Sequence, residues 1–306
     1  MTVAVTGANG FLGSTLVAGL AERGAVALVR TPVEWLDAPQ RRLDLLEPVD
    51  AVADALGGCD TVVHLAGHNE VVTAQDPDRG VAETILAGRH LVEGARQAGV
   101  RRVVYVSTVH VYGDRLVPGA HIDEDVAPAP RSPYAIARLA VEHLVAAAPD
   151  PVVFRLTNAV GAPIHPDVNR WTLVAPDLCR AAAATGAVAL QSTGQQWRDF
   201  IALDDVTRIV LAATDGERVP AGTYNLASGT PMTVRSLATL VQDRVEAATG
   251  TRPPLQAPSP TTPDPLPYHV DTERLRALGL EAEVPLSDAV DDLVALCFSS
   301  SSVVGR

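Results

Sequence analysis

The sequence predicts an α/β fold, a doubly wound parallel sheet joined to a smaller C-terminal region, and three observations predict it. Short apolar runs alternate with helical patterns as far as Leu156. The first run passes into a helix through a glycine turn, with Gly7, Gly10 and Gly13 in MTVAVTGANGFLGS. Beyond about residue 158 the alternation stops and prolines multiply.

The run Val3 to Val5 ends in Thr6 and reads as the first strand. Gly7 suits the sharp turn off it, Gly10 lets the backbone approach a phosphate, and Gly13 lets the helix pack closely on the strand. The helix N-terminus then faces a pyrophosphate, so Gly7, Asn9, Gly10, Phe11, Leu12 and Gly13 are assigned to a dinucleotide site. Phe11 to Arg23 is predicted as a helix stopped by Gly24, and Ala25 to Val29 as a second strand closing on Arg30. An acidic residue there takes ribose hydroxyls, whereas an arginine suits a 2'-phosphate, so Arg30 favours NADP(H) and leaves NAD(H) open. Asp37 lies too far into the loop to reverse this.

Asp44 and Leu45 follow a short extended stretch, Val49 to Leu56 reads as a helix, and Thr61 to Leu65 is the next buried strand. Asp44, Leu45, Leu65, Ala66 and Gly67 join the cofactor site, small residues letting a nucleotide pass; His64 is expected to be structural. Val81 to Ala98 is a long amphipathic helix stopped by Gly99. Arg102 to Val106 is a strand ending in Ser107, Thr108, Val109 and His110. Ser132 as N-cap and Pro133 in the first turn start a helix that carries Tyr134 and Arg138 one turn apart on one face. Pro151 to Leu156 is a further strand.

The irregular part holds a helix around Trp171 to Ala184, a polar loop Thr193 to Asp199 and a proline-rich stretch Arg252 to Pro267. Phe200 to Asn225 is expected to thread back to the sheet. The expected domains are residues 1–157 with 200–226 returning to them, and a substrate-binding domain of 158–199 and 227–306.

The 306 residues, 47% of them apolar, suffice for a sizeable core. A net charge of -12 argues against nucleic acid and anionic membrane as partners. Any anionic ligand is left to local arginines and backbone amides. All 24 basic residues are arginine; lysine is absent. Cys59, Cys179 and Cys297 show no CxxC spacing, so neither a disulfide framework nor a metal site is expected. Met1 leads straight into a strand without an apolar leader, and a cytoplasmic setting is expected.

Seven motifs together resemble the extended short-chain dehydrogenase/reductase family, in its nucleotide-sugar epimerase and dehydratase branch. They are TGANGFLG from Thr6, HLAG from His64, STVHVYG from Ser107, SPYAIAR from Ser132, RLTNAVGAP from Arg155, RDFIALDDV from Arg198 and YNLASG from Tyr224. The resemblance implies a Rossmann-type fold and a homodimer formed through segments around Val81 to Gly94 and Tyr134 to Ala148. It implies that Tyr134 exchanges the proton on the sugar oxygen, that Thr108 hydrogen-bonds the same oxygen, and that Asn158 and Arg198 sit near the substrate diphosphate. Tyr112 is expected to be structural. His110, His121 and His165 are placed near the cleft, with His110 and Asp264 among the substrate-binding candidates.

Arg138 stands where the family has the lysine of YxxxK; it keeps the charge in a longer, planar group. Thr261 occupies the place of a C-terminal diphosphate arginine, with Arg252 or Arg170 as substitutes, and the helix asparagine of NxxGT falls near Thr84. A 4,6-dehydratase needs an Asp-Glu pair after Thr108, where Val109 and His110 stand, so dehydration is disfavoured. The expected reaction is NADPH-dependent reduction of a keto group on a nucleotide-linked deoxysugar. The alternatives are nucleotide-sugar epimerisation and a cofactor-binding protein silenced at Arg138.

Overall fold

Strands Val3–Thr6, Ala25–Val29, Thr61–His64 and Arg102–Thr108 are buried at every residue. That is why they read as continuous apolar runs and not as alternating ones: a parallel sheet is covered on both faces. The computed structural model describes residues 1–168, 170–263 and 265–299. Its main sheet has seven strands, all parallel, in the order Gly222–Leu226, Pro151–Leu156, Arg102–Thr108, Thr61–His64, Val3–Thr6, Ala25–Val29, Gln40–Arg42. One face packs Val5, Leu16, Val104 and Phe154 into a core, and the other packs Val62, Leu91, Tyr105 and Val141.

The chain winds outward from Val3–Thr6 through Ala25–Val29 to Gln40–Arg42, then resumes on the other side at Thr61–His64. Thr6 and His64 are in register across that switch, so the turns that follow them diverge and leave a crevice at the carboxyl ends.

Several boundaries differ from those expected. The first helix is Phe11–Gly19, continued by a 3-10 turn Ala21–Arg23. The long helix starts earlier, at Pro77, because Asp76 accepts the amide of Arg79 at 3.2 Å and Pro77 has no amide to satisfy. The helix expected from Trp171 is Val174–Thr185. The segment read as a polar loop contributes a strand, Trp197–Ala202, parallel to Asn158–Val160 and antiparallel to Pro231–Thr233. Its polar residues pair through the backbone, which composition does not record. The chain then returns, as Gly222–Leu226 extends the main sheet beside Pro151–Leu156.

Helices Val174–Thr185, Val234–Thr249 and Leu286–Ser299 build a separate core around Leu178, Leu237 and Leu293. Cys179 and Cys297 lie in it and Cys59 lies in the core of the main sheet, all three buried. Burial pushes the Cys179 thiol up to about 12. Among the described residues no helix is long and apolar enough to cross a membrane.

Candidate functional site

The crevice begins at Gly7, whose φ of +67° turns the chain off the first strand. A Cβ there would stand 3.1 Å from the amide nitrogen of Ala66, so glycine lets the two turns meet. At Gly13 a Cβ would fall 2.1 Å from the carbonyl oxygen of Gly7, a collision of backbone with backbone. The helix starts from Gly10 with no side-chain cap and no acidic residue in its first turn, which leaves its N-terminal amides to an anion.

Thr6 braces the turn from below. Its hydroxyl accepts the amides of Leu65 at 3.1 Å and Ala66 at 3.2 Å. Both lone pairs are then used, so its proton goes to Nδ1 of His64 at 2.9 Å. Burial, helped by the charge of Arg138, pushes His64 down to about 3. The ring is therefore neutral with its proton on Nε2, a structural histidine as expected.

Asn9, Gly10, Phe11, Leu12, Leu65, Ala66 and Gly67 line a cleft of about 500 Å³, with Arg30, Asp44 and Leu45 at the same wall system. Arg30 is exposed past the end of its strand. Thr84 also lines the cleft and accepts the amide of His68 at 3.4 Å.

Thr108, His110, Tyr134, Arg138 and Asn158 line that same cleft. Ser132 Oγ accepts the Ala135 amide at 3.2 Å and Pro133 occupies the first turn, so the helix Pro133–Val145 starts as expected. Ala135, Ala137 and Val141 are buried, which leaves Tyr134 and Arg138 to the cleft. Nη1 of Arg138 donates to the Tyr105 hydroxyl at 3.3 Å. Its guanidinium carbon lies 5.6 Å from the Tyr105 ring centre and 5.5 Å from that of Tyr134, within cation–π range. Desolvation opposes its charge, but the two phenols outweigh that and raise it above the usual guanidinium. Its Nε is buried without a partner.

Thr108 closes its strand, buried, with its hydroxyl accepting the His110 amide at 3.2 Å. Burial pushes the His110 imidazole down, helped by the charge of Arg198 and opposed by that of Glu70. Behind Thr108 runs a buried polar network. Ser107 donates to Glu142 at 2.5 Å, Arg155 pairs with Glu142 at 2.9 Å and donates to Tyr112 at 3.0 Å, and Tyr112 donates to Asn225 at 2.7 Å. Three of the sequence motifs thus meet in one scaffold, and Tyr112 is structural.

Arg198 sits inside a strand opposite Met232, donates to the Trp197 carbonyl at 2.9 Å and bonds Tyr268, and its charge reaches the His110 imidazole that lines the cleft. His121 is not among the residues lining the cleft; it pairs with Asp271 at 2.9 Å, and its two-residue strand lies parallel to His269–Val270. His165 stacks on Trp35 with ring centres 4.7 Å apart. Asn158 donates to the carbonyl of Asp199 at 2.7 Å, and Asp199 accepts from Thr157 at 2.8 Å and Ser228 at 2.9 Å. Asp264 lies outside the described residues.

Sequence reasoning missed Tyr105 and Glu70, and gave Arg170 only as a substitute. Glu70 follows Asn69, a legible N-cap that accepts the Val72 amide at 2.9 Å. Arg170 lies in irregular chain before Val174, where no periodicity places it; the structure puts it in the cleft, 3.6 Å from Glu70. The other substitute, Arg252, is tied to Asp243 and Glu246 away from the cleft.

Residues 3–227 match the model of the NAD dependent epimerase/dehydratase family. The chain is similar to the GDP-6-deoxy-D-mannose reductase of Pseudomonas aeruginosa, 31% identical over 257 residues that make up 78% of each protein. It is 32% identical to the dTDP-6-deoxy-L-talose 4-dehydrogenase (NAD(P)(+)) of Kitasatospora kifunensis over 308 residues, 95% of this chain and 94% of the other. Among solved structures, MoeE5 in complex with UDP-glucose and NAD matches with a TM-score of 0.80 at 28% identity, covering 99% of this chain and all of the other. A glycine turn at a topological switch point, a tyrosine one turn from a cation and a match over most of the chain agree: the protein belongs to the NAD dependent epimerase/dehydratase family.

Proposed function

We propose that this protein is a cytoplasmic, NADPH-dependent reductase of a keto group on a nucleotide-linked deoxysugar. The observation that carries the reading is the convergence of Thr108, Tyr134 and Arg138 on the cleft that holds the glycine turn. The residues present suit a dinucleotide. The uncapped helix start offers amides to a pyrophosphate, Gly7 and Gly13 leave no Cβ in its way, and the unpartnered Nε of Arg138 is a donor awaiting a ribose hydroxyl. Arg30 at the adenosine end supports a 2'-phosphate and hence NADP(H) over NAD(H).

When bound, the nicotinamide cofactor supplies a hydride to the carbonyl carbon. Thr108 and Tyr134 hold the carbonyl oxygen, and Tyr134 gives it a proton as negative charge develops. Arg138 keeps a full positive charge beside the phenol and stabilises the tyrosinate left behind. His110 positions the sugar, and Asn158 and Arg198 serve its diphosphate end. The names of the two relatives, a deoxymannose reductase and a deoxytalose 4-dehydrogenase, support a deoxysugar keto group at the reacting centre.

We further propose a cofactor-binding unit of residues 1–157 with 200–226, a substrate-binding unit from the remainder, and a homodimer. The last is supported by helices Pro77–Gln97 and Pro133–Val145, which pack together and leave Leu86 and Ile136 exposed.

The test is NADPH fluorescence against time with a dTDP-4-keto-6-deoxyhexose, followed by analysis of the sugar. Loss of signal matched by reduced sugar is expected. A changed sugar at constant signal would instead favour epimerisation.

A further inference from the structure

Arg170 carries the one inference that goes past this reading while resting on it. Its guanidinium lines the cleft, yet Nη1 is buried and without a partner. Nη2 faces Glu70 Oε1 at 3.6 Å, too long for a hydrogen bond. A charged fork is thus held in a cavity with its buried Nη1 unpaired, a state that costs stability unless a ligand completes it.

Its placement does not depend on Glu70. On one side Val168 is buried in a cluster with Phe11 and Leu203, and on the other Leu173 packs against the same cluster. His165, in the same segment, stacks on Trp35. Phe11 opens the helix whose uncapped amides face the cleft, so the segment is anchored on that helix start and Arg170 lines the same cleft.

The other arginines of the cleft have different work. Arg138 gives Nη1 to Tyr105 and stands over the Tyr134 ring, and Arg30 is exposed past the end of its strand. Arg252 is paired with Glu246, and Arg198 spends Nη1 on the Trp197 carbonyl and bonds Tyr268. In a chain of net charge -12 without lysine, a diphosphate in this cleft needs a cation, and Arg170 offers it a buried donor without a partner.

We propose that Arg170 is a diphosphate ligand, with the carboxylate of Glu70 as the group it leaves when the diphosphate binds. Two sources carry that chemistry, the pyrophosphate of the dinucleotide and the diphosphate of the nucleotide-sugar. Displacing Glu70 has a cost, so Glu70 acts against binding and Arg170 for it.

The experiment uses the full chain as wild type, Arg170→Gln, Arg170→Lys and Glu70→Gln. NADPH binding is followed by fluorescence, and dTDP, UDP and GDP binding by calorimetry with NADP+ saturating. Arg170→Gln should weaken one arm by about 10- to 100-fold, the worth of a charge-assisted contact to phosphate. Arg170→Lys should restore part of the loss, and Glu70→Gln should tighten the same arm. A loss in the NADPH arm assigns the pyrophosphate; a loss in the nucleoside diphosphate arm assigns the substrate. Wild-type affinity in both arms for Arg170→Gln overturns the proposal. If that variant does not fold, unchanged or weaker binding by Glu70→Gln overturns it equally. Wild-type protein that binds neither NADPH nor any of the three nucleotides sinks the reductase reading itself, a result distinct from failure of the Arg170 arm alone.

Discussion

Arg138 donates from Nη1 to the hydroxyl of Tyr105 at 3.3 Å, a contact that draws the guanidinium toward the strand and sets its distance from Tyr134. The fit extends to Gly67, where a Cβ would stand 3.0 Å from the same Nη1. A longer side chain than lysine is thus accommodated by a phenol on one side and a missing Cβ on the other. Tyr105→Phe removes the acceptor and leaves a second unpaired donor on Arg138. Its NADPH KM should rise about 10-fold, in line with one lost bond to a charged group, while circular dichroism stays that of the wild type. An unaltered KM would show that the phenol does not position Arg138.

Tyr134 is expected to carry the proton. Tyr134→Phe should lower kcat by at least ~100-fold with NADPH binding retained. Arg138→Lys should preserve or improve turnover, because the charge remains and the family's own residue is restored. Full activity in Tyr134→Phe would end the proposed mechanism; loss of activity in Arg138→Lys would show that the cleft is built around the longer fork.

Cofactor choice is expected to follow Arg30. Arg30→Asp places a carboxylate where a 2'-phosphate would lie, so the ratio of kcat/KM for NADPH over NADH should fall, by about 10-fold or more for the lost attraction and added repulsion. Equal ratios before and after would remove Arg30 from the account.

His64 makes stability depend on pH. Its imidazole titrates near 6.5 in the unfolded chain and near 3 in the fold, where burial and Arg138 disfavour the charged form. Between those values the unfolded chain binds the extra proton, so this contribution is full above the unfolded value and is lost as pH falls. The loss amounts to about 1.4 kcal/mol per pH unit. Asp199 and Glu124, whose carboxyls burial pushes up, act with the opposite sign in the acid part of that window. Urea unfolding of wild type and His64→Asn between pH 4 and 7 checks this: the variant's slope of stability against pH should be lower by about one proton's worth. Parallel slopes would contradict a neutral buried His64.

What local chemistry dictates was legible in the sequence. The turn at Gly7, the helix start at Ser132 and Pro133, and the facing of Tyr134 and Arg138 follow from steric limits and helical geometry acting over a few residues. Continuous apolar runs announced a sheet covered on both faces, and the alternation of elements announced its parallel winding. Even the early start at Asp76 and Pro77 was written there, as a cap and a first-turn proline.

The rest waits on contacts between residues far apart in the chain. Tyr105 and Arg138 meet only because a helix packs across a strand, and Arg198 is held in a strand opposite Met232 only because its segment pairs with Pro231–Thr233. Arg170 comes to the cleft in a segment anchored by Val168 on Phe11 and Leu203, three residues from three separate stretches of chain. The winding of the sheet, the glycine turn and the tyrosine helix follow from local chemistry, because they depend on backbone sterics and hydrophobic period. Which arginines are left free to meet an anion was decided by the tertiary structure, since a guanidinium's partners are set by what the folded chain brings within 3 to 4 Å of it.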